Sequence, residues 1–375
     1  MQKLLKFDKT IFILLIMFAI ISIMTIGSAQ KLLPDSMNYL MSKQIIWYIV
    51  GFILLLVIVI KGHNIILKNA WFLYIIGVIL LILLLFFGTT INEAKCWFTI
   101  PGIGTFQPSE FMKIILIIVN AKIITDLNEN YENPTIYQEF FFLLKVMFVV
   151  LIPSILTFLQ PDTGVVLIYI IITIVMLFIG GIRYRWFFLL FLIVGIIIGT
   201  ILIIYFSNKD LFIKLFGSSF FLRVDRLLDW SNKSGYQLEN GLTAISSGGF
   251  TGYGLYNTPI YFPEPQTDFI FAVYASNFGF VGSSILLILI LIFDLKIIAI
   301  ANNSKKNISK YILAGIIGML LYQQLQNIGM TFGLIPITGI TLPFISYGGS
   351  SLLSYMIMMG IVLSITVENN KYTNE

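Results

Sequence analysis

The sequence predicts an all-α polytopic membrane protein with about ten transmembrane helices and a large extracytoplasmic loop. Three observations point there. Of 375 residues, 58% are hydrophobic and only 11% charged, where a soluble domain carries about 25% charged residues. Mean hydropathy is +0.95. Apolar runs of roughly 17–25 residues recur along the chain, long enough for helices that cross a bilayer and satisfy their own backbone hydrogen bonds.

Spans are predicted near 8–29, 45–61, 70–88, 109–125, 140–159, 163–182, 186–206, 268–293, 309–331 and 348–367. Little is left for a soluble domain, so residues 1–375 read as a single integral-membrane domain with an extracytoplasmic loop at about 207–267. With the N-terminus in the cytoplasm, Lys61, Lys68, Lys122, Arg183, Arg185, Lys305 and Lys306 fall on the inner face. The short outer loops then hold only Lys31, Lys43 and Lys95, a positive-inside pattern that makes both termini cytoplasmic. The first apolar run exceeds the 7–15 residues of a signal core and reads as an uncleaved helix.

Composition also excludes classes. Cys96 is the single cysteine and His63 the single histidine, so neither a disulfide nor a Cys- or His-rich metal site is available. The net charge of +5 fits orientation and anionic lipid and calls for no nucleic acid.

Polar segments gather on the outer side. Asp268 stands at the mouth of the eighth span, where a carboxylate is expensive to desolvate and needs a partner, a proton to move or a cap to make. In the segment Trp97 to Lys113, Pro108 suits a first helical turn. Glu110 and Lys113, three apart, share a helical face, as a structural ion pair or as part of a cavity wall. Asp162, in Gln160-Pro-Asp-Thr-Gly164, either caps the next helix or serves the site. In the large loop, Arg223 and Arg226 lie a turn apart if helical, and guanidinium groups suit phosphate. The Gly-rich run 246–254 allows backbone to approach a ligand. The stretch 333–351 is apolar yet broken by Pro336, Gly339, Pro343 and Gly348-Gly349, so it must be buried in protein or face a wet cavity.

Several of these stretches, taken in order, resemble the SEDS (shape, elongation, division, sporulation) family, whose members include RodA, FtsW and SpoVE. They are Phe106-Gln-Pro-Ser-Glu-Phe-Met-Lys113, Gln160 to Gly164, Gly235-Tyr-Gln237, Ala244 to Gly249, Thr267-Asp-Phe-Ile-Phe271 and Asn327 through Ser351. The lead-in Gln326-Asn-Ile-Gly-Met330 looks more like RodA than FtsW. The resemblance implies a peptidoglycan glycosyltransferase of the bacterial cytoplasmic membrane. Such an enzyme polymerises lipid II at the outer face during elongation and shape maintenance, beside a class B penicillin-binding protein. It implies Asp268 as the essential acid, with Glu110, Lys113 and Asp162 in or near the cavity.

The implied reaction inverts the lipid-linked MurNAc: a sugar 4-hydroxyl attacks its anomeric carbon, undecaprenyl pyrophosphate leaves, and Asp268 takes the hydroxyl proton. The leaving pyrophosphate needs positive charge, for which Arg223 and Arg226 are candidates. A divalent cation (Mg2+ or Mn2+) is the conceivable cofactor, and no protein metal site is indicated. The chain departs from the family at several places. Cys96 stands where Arg is common, Tyr253 in a familiar Gly-Lys-Gly, Gln266 where His is common, and Ser276 and Asn277 where two acids usually follow the motif. Two other classes share many of these features: a flippase or transporter for lipid-linked precursors, with its charges deep in the bundle, and a non-catalytic scaffold for cell-wall enzymes.

Overall fold

A computed structural model describes residues 7–91, 94–102, 104–218, 220–221, 224 and 235–372. Ten long helices dominate it. They are α1 (Lys9–Gln30), α2 (Leu40–Lys61), α3 (Ala70–Phe87), α4 (Pro108–Asn130), α5 (Ile136–Leu159), α6 (Thr163–Ile179), α7 (Tyr184–Ser207), α8 (Ile270–Asn302), α9 (Asn307–Thr331) and α10 (Gly349–Tyr372). Eight are long and apolar enough to cross a membrane. The other two are α6, which is shorter, and α4, which is more polar because it carries the buried side chains described below. The protein is therefore an integral membrane protein.

Helix α4 lies in the middle of the bundle and packs against α3, α5, α6, α9 and α10, while α10 lies along α2. Most of its buried polar groups find partners inside the protein. Asn120 donates to Thr173, Tyr169 of α6 donates to the Ser109 carbonyl, and Lys113 pairs with Glu110. Helix α7 stands at the edge, with Tyr205 its one buried residue. Its start is held by Glu139, which accepts from the Trp186 indole and pairs with Arg183.

Helix boundaries fall within about five residues of the predicted spans at every end but one. Helix α8 runs nine residues beyond its predicted end, through Asp294 and Lys296. Both polar groups are accommodated locally: Asp294 is buried and accepts from Gln324 of α9, and Lys296 faces Asp8 at 3.9 Å. Between α3 and α4 lies an element the sequence reading did not anticipate, a small antiparallel sheet ordered β1 (Thr89–Ile91), β2 (Ala94–Ile100) and β3 (Gly104–Phe106). Its pairing joins Thr89 to Trp97 and Phe98 to Phe106. The large loop also contains helices, at Lys209–Phe216 and Tyr236–Ser247.

The backbone of the Gly-rich run approaches the backbone of α8. Helix α8 is broken at Gly279, whose φ of 63° and ψ of −160° lie outside the helical range. The break frees backbone polar groups, and the loop after Ser247 satisfies them. Tyr253 and Gly254 N–H donate to the carbonyls of Ser276 and Asn277, and Phe280 and Val281 N–H donate to those of Gly249 and Phe250. The approach is so close that a Cβ on Gly252 would sit 2.2 Å from the Asn277 oxygen. Gly252→Ala, also strained by its φ of 79°, should lose at least about 1–3 kcal/mol of stability. Gly195→Ala, in open space on α7, should leave Tm unchanged or slightly raised; thermal melts of the purified proteins compare the two.

Candidate active site

Connections α1–α2, α3–α4, α5–α6, α7–α8 and α9–α10 all leave the bundle on one side. At that end they enclose a cavity of about 590 Å3. Its lining includes Asp268, Asp162 and Glu110, three of the residues singled out from the sequence. Lys113 lies directly behind: it is fully buried, its Nζ is 2.7 Å from Glu110 Oε2, and it stacks over the Tyr355 ring at 5.2 Å. Arg223 and Arg226 lie outside the described residues.

Asp268 is aimed by the turn that precedes α8. Glu264, itself in the left-handed region at φ 53°, accepts at its carbonyl from the N–H groups of Thr267 and Phe269. Its carboxylate accepts from Gln266 Nε2 and Thr267 Oγ1, each at 2.9 Å. The broken stretch before α10 is sewn to this turn. Ser346 Oγ donates to the Thr267 carbonyl at 2.6 Å, Tyr347 N–H donates to the Gln266 carbonyl, and Asn327 Nδ2 donates to both the Asp268 and Ile340 carbonyls. Gly339 (φ 71°) brings that stretch against the acid, and a Cβ there would stand 3.7 Å from Asp268 Oδ2. Asp268 is thus open to the cavity and enclosed by protein on its other sides. Burial, reinforced by the Glu264 carboxylate, pushes its pKa up to about 7.

Asp162 fills both roles the sequence left open. It caps α6, with Oδ1 accepting from Val165 N–H, and its Oδ2 accepts from Gln107 Nε2 at 2.8 Å. Burial again leads in raising its pKa, to about 6, with Glu110 adding to the effect. Among the described residues no group of three or more His, Cys, Asp or Glu side chains is arranged to hold a metal ion. The three acids share a cavity without forming a ligand set.

The positions that depart from the family pattern separate into two groups. Ser276 and Asn277 are buried away from the cavity: Asn277 Nδ2 donates to Ser28 Oγ of α1, and its Oδ1 accepts from Thr258. Asn277 ties the α8 break to α1, and neither residue lines the cavity. Gln266 and Cys96 do line it. Sequence reasoning missed Lys43, which lines the cavity with its Nζ over the Tyr39 ring at 4.3 Å. Tyr39, Lys43 and Trp47 recur every fourth residue and all face the cavity. That stripe was the available signal. Gln323 on α9 was also missed.

Comparison with known proteins identifies the family. The profile of the FtsW/RodA/SpoVE cell cycle proteins matches residues 5–371. A probable peptidoglycan glycosyltransferase FtsW of Wigglesworthia glossinidia brevipalpis is 33% identical over 385 aligned positions, covering 99% of this chain and 96% of the relative. Stage V sporulation protein E of Bacillus subtilis is 35% identical over 276 positions, covering 71% of this chain and 70% of that protein. Among solved structures, a peptidoglycan synthase complex that coordinates polymerization and crosslinking contains a similar chain. It has a TM-score of 0.77 and 27% identity, covering 97% of this chain and 98% of that one. Thermus thermophilus RodA, the rod shape determining protein, superposes with a TM-score of 0.68 at 27% identity, with 96% of each chain covered. The profile match over nearly the whole chain, the full-length relative and the shared fold agree, and the chain belongs to the FtsW/RodA/SpoVE (SEDS) family.

Proposed function

We propose that the protein is a peptidoglycan glycosyltransferase that polymerises lipid II. One observation carries the reading. Asp268, Asp162 and Glu110 line one cavity at a single end of the bundle, with Asp268 poised to accept a proton near neutral pH. A transporter calls for its charges near the midplane of the membrane, whereas this cluster sits at helix mouths. A scaffold has no use for a strongly perturbed acid facing a cavity.

In the proposed reaction the acceptor 4-hydroxyl oxygen forms a bond to the anomeric carbon of the lipid-linked MurNAc. The bond from that carbon to the pyrophosphate oxygen breaks, and the lipid pyrophosphate leaves with the electron pair. The hydroxyl proton passes to the Asp268 carboxylate, and the configuration inverts. Charge on the leaving group is met by Lys43 and, from the segment outside the described residues, by Arg223 and Arg226. A divalent cation, Mg2+ or Mn2+, could add charge on the pyrophosphate; no step requires it. Glu110 and Lys113 hold the mouth of α4 and, with Asp162, shape the substrate cavity.

The cavity end faces outward, with both termini cytoplasmic, and a class B penicillin-binding protein is the expected partner. Assignment to elongation rests on Gln326 to Met330 and on the likeness to RodA. Expression in cells depleted of RodA should restore growth as rods, whereas expression in cells depleted of FtsW should not restore division.

The chemistry is tested with purified protein and lipid II. Asp268→Asn should lower the polymerisation rate by about 10^2–10^4-fold, the usual range for a lost general base, while lipid II binding persists. The wild-type rate should climb with pH as Asp268 ionises and level off above about 7. An Asp268→Asn protein that polymerises at the wild-type rate would end the assignment. Stability should move the other way. A carboxyl whose folded pKa is raised favours the fold while protonated and loses that contribution as pH rises through about 7. Asp268→Asn should therefore melt a few degrees higher than wild type at pH 8, and the difference should vanish near pH 4.

A further inference from the structure

Three side chains on the cavity wall have polar atoms left over. Gln266 Oε1, Gln323 Oε1 and Thr338 Oγ1 are buried without a hydrogen-bond partner, and all three residues line the cavity. Buried polar groups are nearly always paired, so unpartnered atoms on three residues around one hollow are available to a group that enters it. Gln266 is 9% exposed and Gln323 1%. The second amide atom of each is already engaged. Gln266 Nε2 donates to Glu264 Oε2 at 2.9 Å, and Gln323 Nε2 to the Tyr355 hydroxyl at 2.9 Å. Because a carboxylate can only accept from that amide, Glu264 fixes the orientation of Gln266 and leaves its carbonyl oxygen as the free atom. Thr338 adjoins Gly339, which packs against the Asp268 carboxylate.

From this arrangement we propose that Gln266, Gln323 and Thr338 form a neutral subsite that holds the acceptor sugar and brings its hydroxyl to Asp268. The chemistry of the free atoms selects the ligand. Carbonyl oxygens beside Glu264 and Asp268 repel phosphate and accept from O–H and N–H donors, which an N-acetylated pyranose presents around its ring. The pyrophosphate then belongs nearer Lys43, on the α2 side of the cavity. Gln266 is a positioning residue: it orders the acceptor without exchanging a proton. An amide does not titrate, so it recognises the sugar equally at any pH. The proposal rests on the polymerase reading and specifies which part of the substrate the residues beside Asp268 recognise.

The full chain in lipid nanodiscs tests it by binding two probes. One is lipid II; the other is the same lipid pyrophosphate carrying MurNAc without the GlcNAc. Wild type should bind lipid II more tightly. Gln266→Leu should weaken lipid II binding by about tenfold, the effect of about 1.4 kcal/mol, and leave the GlcNAc-free probe unchanged, which also shows that the variant is folded. Thr338→Val, which removes only a hydroxyl, should weaken lipid II binding in the same selective way. Wild-type affinity for lipid II in both variants overturns the subsite, as does an equal loss for both probes. If wild type neither binds nor polymerises lipid II, the polymerase reading itself falls. If wild type polymerises and the variants bind normally, only the subsite falls.

Discussion

Backbone hydrogen bonding where water is scarce is the constraint on which this architecture depends. Two stretches at the cavity end give up helical geometry, the turn at 264–268 and the run before α10. Each would be ruinous facing lipid, since nothing there could pair with the exposed amides. They survive because they pair with each other, through Ser346, Tyr347 and the two bonds donated by Asn327. The same rule is obeyed at the α8 break, where the glycine loop supplies the missing partners. At Asp268 it is this irregular backbone, held by the neighbouring stretch, that aims the carboxylate at the cavity.

The electrostatic layout follows from that frame. Acidic side chains converge from the mouths of three helices, α4, α6 and α8, with one ammonium, Lys113, sealed behind them. A buried pair such as Glu110–Lys113 gains little net stability, yet removing one partner would strand a charge. Its usefulness lies in fixing the first turn of α4, where Gln107 and Ser109 reach Asp162. Asp162 in turn caps α6. The two carboxylates near neutrality are therefore held by different devices, one by a helix start and one by a strained turn.

Much of this was legible in the sequence, and the limits have physical causes. Spans were readable because a bilayer imposes length and apolarity on every crossing helix. The end of α8 was misjudged because hydropathy cannot see that Gln324 and Asp8 receive Asp294 and Lys296. Asp268, Asp162, Glu110 and Lys113 stood out as charges where charge is costly. Lys43 did not, since a lysine near a helix start looks like an ordinary interfacial residue until its neighbours at four-residue spacing are seen to face inward. Gln323 was hidden among the polar residues of α9, whose separate tasks only packing distinguishes. The small sheet between α3 and α4 escaped because its short, glycine-punctuated strands gain their order from each other and from the cavity rim.

Cys96 has a use that depends on its isolation. It is the only thiol in the chain, it is 1% exposed, and its Sγ donates to the Gln160 carbonyl. Burial and the nearby Asp162 push its pKa upward, so the reactive thiolate is scarce at neutral pH. Cys96 should accordingly react slowly with maleimides and other thiol reagents. Cysteines introduced one at a time into the loops at either end of the bundle would report their own accessibility against that quiet background, and the sole native thiol need not be removed first.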